Sequence, residues 1–196
     1  MRLNTTRLRV VVGLSGMLLP LIVAILVWRV PYSISETWYT NACTVFMIIL
    51  GGSSYLLISY RGYERLDDII FTCSGVSGFG ICLFPCAVTS AHEKVGTFLI
   101  DNHLSNIFHT FFAIVFFCLL AYGSIFLFTK GTEELTVRKK ARNIIYRVCG
   151  IGMVASFAIL LIPFAYKVFV TETVALFFFG ISFLTKANVC RWLFCD

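Results

Sequence analysis

An all-α membrane bundle of six transmembrane helices is the fold class the sequence predicts, and three observations predict it. The first is composition. Of 196 residues, 59% are hydrophobic and 13% charged, where a soluble domain carries about a quarter of its residues charged. With twenty phenylalanines and a mean hydropathy of +0.89, too few charges remain to cover a globule, so most of the surface must face lipid. The second is segmentation: apolar runs at 8–30, 41–60, 69–89, 104–128, 144–166 and 171–189 each suit a hydrocarbon core of about 30 Å. The third is a one-sided distribution of lysine and arginine along those runs. Together they give a single transmembrane domain over 1–196.

The first span, 8–30, follows Arg2, Arg7 and Arg9 and is too long and uninterrupted for the core of a cleaved leader, so it is expected to be retained. Pro20 is expected to bend it, because proline removes a backbone donor. After Pro31, the polar and aromatic stretch Tyr32 to Thr40 has the composition of a headgroup-level segment. Spans two and three carry Gly51-Gly52-Ser53-Ser54 and Ser74-Gly75-Val76-Ser77-Gly78-Phe79-Gly80. Small residues in such runs let helix backbones approach, which is a packing role. A phosphate-binding glycine loop would need a preceding strand.

Arg61 to Asp68 forms a short charged link on one surface, and Ser90 to His103 the longest loop on the other. The fourth span leads into the basic loop 129–143. The fifth is expected to bend near Pro163, and the sixth has Glu172 at one end and Lys186 at the other, placed to snorkel toward water. The tail from Cys190 to Asp196 is too short to cross again and is expected to lie in the interface, with Cys190 or Cys195 open to acylation.

Thirteen of the sixteen basic residues fall on the side of the amino terminus, and Arg29, Lys94 and Lys167 fall on the other. The positive-inside tendency then makes both termini cytoplasmic, in a bacterial inner membrane. The net charge of +6 thus reports orientation, and nucleic acid is not an expected partner. The eight cysteines fall mostly inside apolar runs and read as small packing residues. Cys82 and Cys86 with His92 are a weaker metal alternative.

In this topology the three histidines lie with Glu36, Glu93, Asp101 and Glu172 at or just below the outer face. In a helix beginning near Asp101, Asn102, Ser105, Asn106 and His109 share one side and His103 does not. His109 is set too deep to keep its water and needs a partner. Glu36 or Glu172 from facing helix ends would make it functional, whereas a serine, a tyrosine or a backbone carbonyl would make it structural. Glu36, Trp38, Tyr39, Asn102, Asn106, His109 and Glu172 therefore form a candidate outer ligand pocket. His92, Asp101, His103 and His109 are the candidate ligands for zinc, which takes nitrogen and oxygen donors. No His-Glu-x-x-His, Gly-x-Ser-x-Gly, P-loop or dinucleotide-binding fingerprint is present.

Ser33-Ile34-Ser35-Glu36-Thr37-Trp38-Tyr39-Thr40 and Tyr60-Arg61-Gly62-Tyr63-Glu64-Arg65-Leu66-Asp67-Asp68 resemble motifs of a group of small bacterial six-helix membrane proteins. Phe84-Pro85, His109 with Phe111-Phe112-Ala113, and Phe178-Phe179-Gly180-Ile181-Ser182 extend the likeness over nearly the whole chain. It implies the fold without implying an activity. More distantly, Tyr32-Ser33-Ile34-Ser35 and the stretch from His109 through Phe117 to Tyr122 look like the damage-regulated autophagy modulators and GPI-anchor remodelling proteins. That likeness implies lipid handling at an outer pocket. Trp38 and Thr40 stand where that family tends to have glycine and proline. A fainter similarity to ceramidase and adiponectin-receptor hydrolases implies zinc held by the histidines, although a seventh helix and a close histidine pair are missing.

The leading expectation is a non-catalytic lipid-binding or accessory membrane protein, with membrane lipids as partners and a homo-oligomer or a membrane-protein partner as further options. The alternatives are a metal-dependent hydrolase of a lipid ester or amide, with Glu36 as acid or base, and a small-solute transporter or channel. Transport is disfavoured by the lack of a repeat and of midplane charges.

Overall fold

Proline, capping side chains and left-handed residues cut the apolar sequence into six helices. The computed structural model describes residues 5–87, 94–130 and 136–189. The helices are α1 (Thr5–Val27), α2 (Cys43–Ile58), α3 (Arg65–Leu83), α4 (Asn102–Tyr122), α5 (Val137–Ala155) and α6 (Lys167–Lys186). The π-turn Gly123–Leu127 prolongs α4 and the 3-10 turn Ser156–Leu161 prolongs α5, while a 3-10 turn at Ser35–Tyr39 lies between α1 and α2. A two-residue antiparallel ladder, β1 (Lys94–Val95) with β2 (Ile100–Asp101), precedes α4. Its turn uses Gly96 at φ 76°, a conformation glycine adopts without steric cost.

Five segments are long and apolar enough to cross a membrane: α1, α3, α4 with its π-turn, α5 with its 3-10 turn, and α6. The second is shorter than the expected 41–60. The sixteen residues of α2 rise about 24 Å at 1.5 Å each, less than a full hydrocarbon core. Its start is consumed by a turn in which the Thr40 hydroxyl accepts from the Ala42 N–H at 3.2 Å and the Thr40 carbonyl accepts from Cys43 N–H at 3.1 Å.

Other boundaries move for equally local reasons. α3 stops at Leu83, well short of residue 89, because Phe84 precedes Pro85 and is held extended at φ −112°, ψ 96°. Ile162, before Pro163, is likewise extended at φ −86°, ψ 124°, so the proline ends the fifth segment where a bend was expected. α1 runs through Pro20 as one helix and ends at Val27, with Trp28 left-handed at φ 57°. α3 begins at Arg65, four residues early, behind a reciprocal Glu64/Asp67 capping box. α5 begins at Val137 because the Thr136 hydroxyl accepts from the Lys139 N–H at 3.3 Å.

Each helix packs on its neighbours in sequence, and α6 packs back on α1, so the six form a closed ring. The interior is filled by Phe46, Phe71, Phe116, Phe179, Phe183 and Met153, all nearly inaccessible. The outside carries Leu14, Leu18, Leu21 and Ile25 on α1, Ile107, Phe111 and Ile114 on α4, and Ile144, Ile151 and Val154 on α5. This arrangement, apolar inside and out, is what lipid solvation requires. The small-residue stretches lie at tight crossings: a Cβ on Gly75 would run into the Ser54 carbonyl, and one on Gly13 would lie 3.0 Å from the Gly180 carbonyl. At Gly52 nothing lies within 4 Å, so that glycine has no packing role.

The ring has two chemically different ends. One carries the start of α1, the α2–α3 link, the end of α4, the start of α5 and the end of α6, and it holds most of the basic residues. The other carries Arg29, Lys94 and Lys167 with the Ser35–Tyr39 turn and the β-ladder.

Candidate functional site

At the end remote from the basic cluster, the face of α4 that the sequence singles out is turned onto the chain leaving α3. Pro85 cannot donate, and the extended backbone from Phe84 to Ala87 has lost its helical partners. α4 supplies replacements: Ser105 Oγ donates to the Pro85 carbonyl at 2.8 Å, and Asn106 Oδ1 accepts from the Ala87 N–H at 3.0 Å. His109 Nδ1 lies 2.8 Å from the Phe84 carbonyl. A carbonyl only accepts, so this contact fixes the proton on Nδ1. The expected carboxylate partners of His109 are engaged elsewhere, and its partner is a backbone carbonyl.

Glu36 binds Arg29 at 2.6 Å and accepts from the Tyr32 N–H at 2.7 Å. Its hydrogen bond and charge push the Arg29 guanidinium above its ordinary pKa. Glu172 accepts from the Ile34 N–H at 2.6 Å and, more weakly, from the Ser35 hydroxyl at 3.4 Å. Trp38 Nε1 donates to the Cys82 carbonyl at 3.2 Å, and the Tyr39 hydroxyl to the Cys86 carbonyl at 2.8 Å. Burial pushes both the Tyr39 phenol and the Cys86 thiol up to about 12. Asn102 is buried in the first turn of α4.

The seven candidate pocket residues are thus gathered at one end of the bundle, with the backbones of 34–39 and 82–87 threaded among them. Glu172 borders a void of about 40 Å³ walled by Leu19, Phe46, Phe116 and Leu176.

The candidate metal ligands do not converge among the described residues. Asp101 caps α4 by accepting from the His103 and Leu104 N–H groups at 2.9 and 3.3 Å. The His103 side chain is exposed while His109 is buried. Described histidine, cysteine, aspartate and glutamate side chains form no group of three able to hold a metal ion. Cys86 lies beyond the end of α3, so it does not share a helix face with Cys82. His92 and Glu93, like Cys190 and Cys195, lie outside the described residues.

The larger cavity is at the opposite, basic end and was not foreseen. It encloses about 240 Å³ and is lined by Arg9, Lys130, Lys139, Arg142 and Lys186 together with Tyr63, Phe128, Asn143, Tyr146 and Asn188. The π-turn after α4 closes with Phe128 N–H donating to Gly123 carbonyl at 2.9 Å. The Phe128 carbonyl, beyond the helix, accepts from Lys186 Nζ at 2.9 Å. Lys186, expected to snorkel outward, instead points inward, its ammonium 5.2, 5.4 and 5.7 Å from the ring centres of Tyr63, Phe128 and Tyr146. Cation–π attraction compensates part of the water lost there.

Arg9 Nη1 reaches the Lys186 carbonyl at 3.3 Å and its guanidinium lies 5.4 Å from the centre of the Tyr60 ring. Arg142 Nη1 donates at 2.8 Å to the side chain of Asn188, the left-handed residue (φ 56°) that ends α6. Lys130 is neutralised by Glu64 at 2.8 Å and Asp67 at 3.1 Å, which push its pKa up. Among the described residues no carboxylate pairs with Arg9, Arg142 or Lys186, and Arg9 Nε is buried with no hydrogen-bond partner.

The signal for this site was present in the sequence but dispersed. Basic residues recur beside Tyr60, Tyr63 and Tyr146 at one set of helix ends, and only the closing of α6 onto α1 brings them together.

Comparison with protein-family models, with curated proteins and with solved structures finds no match.

Proposed function

We propose that the chain is a multi-pass protein of a bacterial cytoplasmic membrane, both termini cytoplasmic, that binds an acidic lipid headgroup at its basic end and does no chemistry on it. The observation that carries this reading is the cavity of about 240 Å³ with three cations, Arg9, Arg142 and Lys186, lacking carboxylate partners among the described residues. Uncompensated charge in a part-buried site is costly unless an anion completes it. By the positive-inside tendency this end faces the cytoplasmic leaflet, where acidic lipids attract basic residues by about 1 kcal/mol each. A headgroup site is favoured here over the outer pocket because His109, Asn106, Trp38, Tyr39 and Glu172 there are engaged with backbone groups of the protein itself.

Native mass spectrometry of protein released from mild detergent tests the reading. Wild type should retain acidic phospholipid, and the combined Arg9→Gln, Arg142→Gln, Lys186→Gln protein should lose it. Retention by the triple variant, or equal retention of neutral lipid by wild type, would refute it.

A further inference from the structure

The three cations carry more charge than a common acidic lipid neutralises. Lys130 is set aside because Glu64 and Asp67 already balance it, and Lys139 because it has interactions of its own. Arg9, Arg142 and Lys186 remain, three positive groups whose hydrogen-bond partners among the described residues are all neutral: the Lys186 carbonyl and the Tyr60 hydroxyl, Asn188, and the Phe128 carbonyl. A phosphodiester headgroup such as phosphatidylglycerol brings one negative charge and would leave two positive charges unmatched. A phosphate monoester brings about −1.5 to −2 at neutral pH and three strong acceptor oxygens, which leaves roughly one.

The donors suit such a group. Arg142 uses one Nη1 contact and Arg9 bonds the Lys186 carbonyl and the Tyr60 hydroxyl, so each of these five-donor guanidinium forks keeps further N–H groups to offer phosphate oxygens. Lys186 is a different kind of donor, a point charge held in place by three aromatic rings and one carbonyl. Two forks and a fixed ammonium line one cavity, and a monoester offers three terminal oxygens to these three donor groups. A diester presents two.

Resting on the lipid-binding reading above, we infer that the ligand of the basic cavity is a phosphate monoester, either the headgroup of a phosphatidic-acid-type lipid or a soluble phosphomonoester of the same chemistry. The experiment uses the whole protein in phosphatidylcholine nanodiscs, alone or containing phosphatidic acid or phosphatidylglycerol with the same acyl chains. Retention is read by native mass spectrometry and glycerol 3-phosphate serves as the soluble competitor.

Phosphatidic acid should be retained about tenfold more than phosphatidylglycerol, as expected for one added charge-assisted hydrogen bond. Arg142→Gln and Lys186→Met should each bring that ratio toward one, while Lys94→Gln at the other end leaves it unchanged. Displacement by glycerol 3-phosphate at concentrations equal to the lipid identifies a soluble ligand. Displacement only at large excess identifies the lipid. Both support monoester chemistry. Equal retention of the two acidic lipids overturns the monoester assignment and leaves the lipid-binding reading standing, whereas no preference for either over phosphatidylcholine overturns both. Elution volume and thermal unfolding of Arg142→Gln guard against a folding defect in Lys186→Met.

Discussion

Replacing His109 by alanine separates a structural imidazole from a ligand-binding one. The side chain is 6% exposed and its Nδ1 lies 2.8 Å from the Phe84 carbonyl, which the following proline has removed from the helix ladder. Truncation leaves that carbonyl without a donor, a cost of about 1–3 kcal/mol. For a chain of this size each kcal/mol lowers the melting temperature by about 2–4 °C, so a drop of about 2–12 °C is expected. The assay is thermal unfolding of detergent-purified protein, followed by tryptophan fluorescence, beside native mass spectrometry of retained lipid. His109→Gln, whose amide can still donate, should recover part of the loss. Lipid retention should be unchanged in both variants, because the basic cavity lies at the other end of the bundle. A melting temperature within about 1 °C of wild type, accompanied by altered lipid retention, would refute the assignment of His109 as a backbone staple.

Glu172→Leu should cost about 1–3 kcal/mol by leaving the Ile34 N–H without its acceptor. Glu172→Gln, which keeps an oxygen there, should cost less than half as much in the same melts, and equal stability of all three proteins would contradict this. Gly75→Ala should destabilise by about 1–3 kcal/mol, since its Cβ meets the Ser54 carbonyl. Gly52→Ala, with open space around it, should gain up to about 1 kcal/mol of helix propensity, and the opposite ranking would show that the α2–α3 crossing is misread. Tyr39 should ionise at about 12, seen as a phenolate absorbance difference between wild type and Tyr39→Phe. Because burial raises this pKa in the folded protein, its stabilising effect is complete below about 10 and is lost as the pH rises toward about 12. A difference spectrum centred near 10 would place the ring in water.

The sequence announces its helices through composition but places their ends poorly, for reasons visible in single residues. Hydropathy does not register that Phe84 and Ile162 are forced extended by the prolines after them, so the third and fifth segments were drawn too far. Nor does it register capping by Thr136 or by Glu64 and Asp67, polar residues that start helices before the apolar run begins. The polar face of α4 was legible because helical periodicity alone puts Ser105, Asn106 and His109 on one side. Its partner was not, since a backbone carbonyl in the extended segment after α3 leaves no trace in residue type. The basic cavity was hidden more deeply. Arg9 and Lys186 meet across 177 positions, and each taken singly reads as an orientation signal or a snorkelling side chain.

The closure of α6 onto α1 has a consequence for how the protein is made. The seam between the first and last helices is lined by Gly13 and Gly180, each close to the other's backbone, and it joins partners from opposite ends of the chain. During synthesis α1 emerges with one flank bare and keeps it so until α6 follows. Arg9 and Lys186 meet at that same seam, so the cationic chamber is completed only when α6 docks on α1.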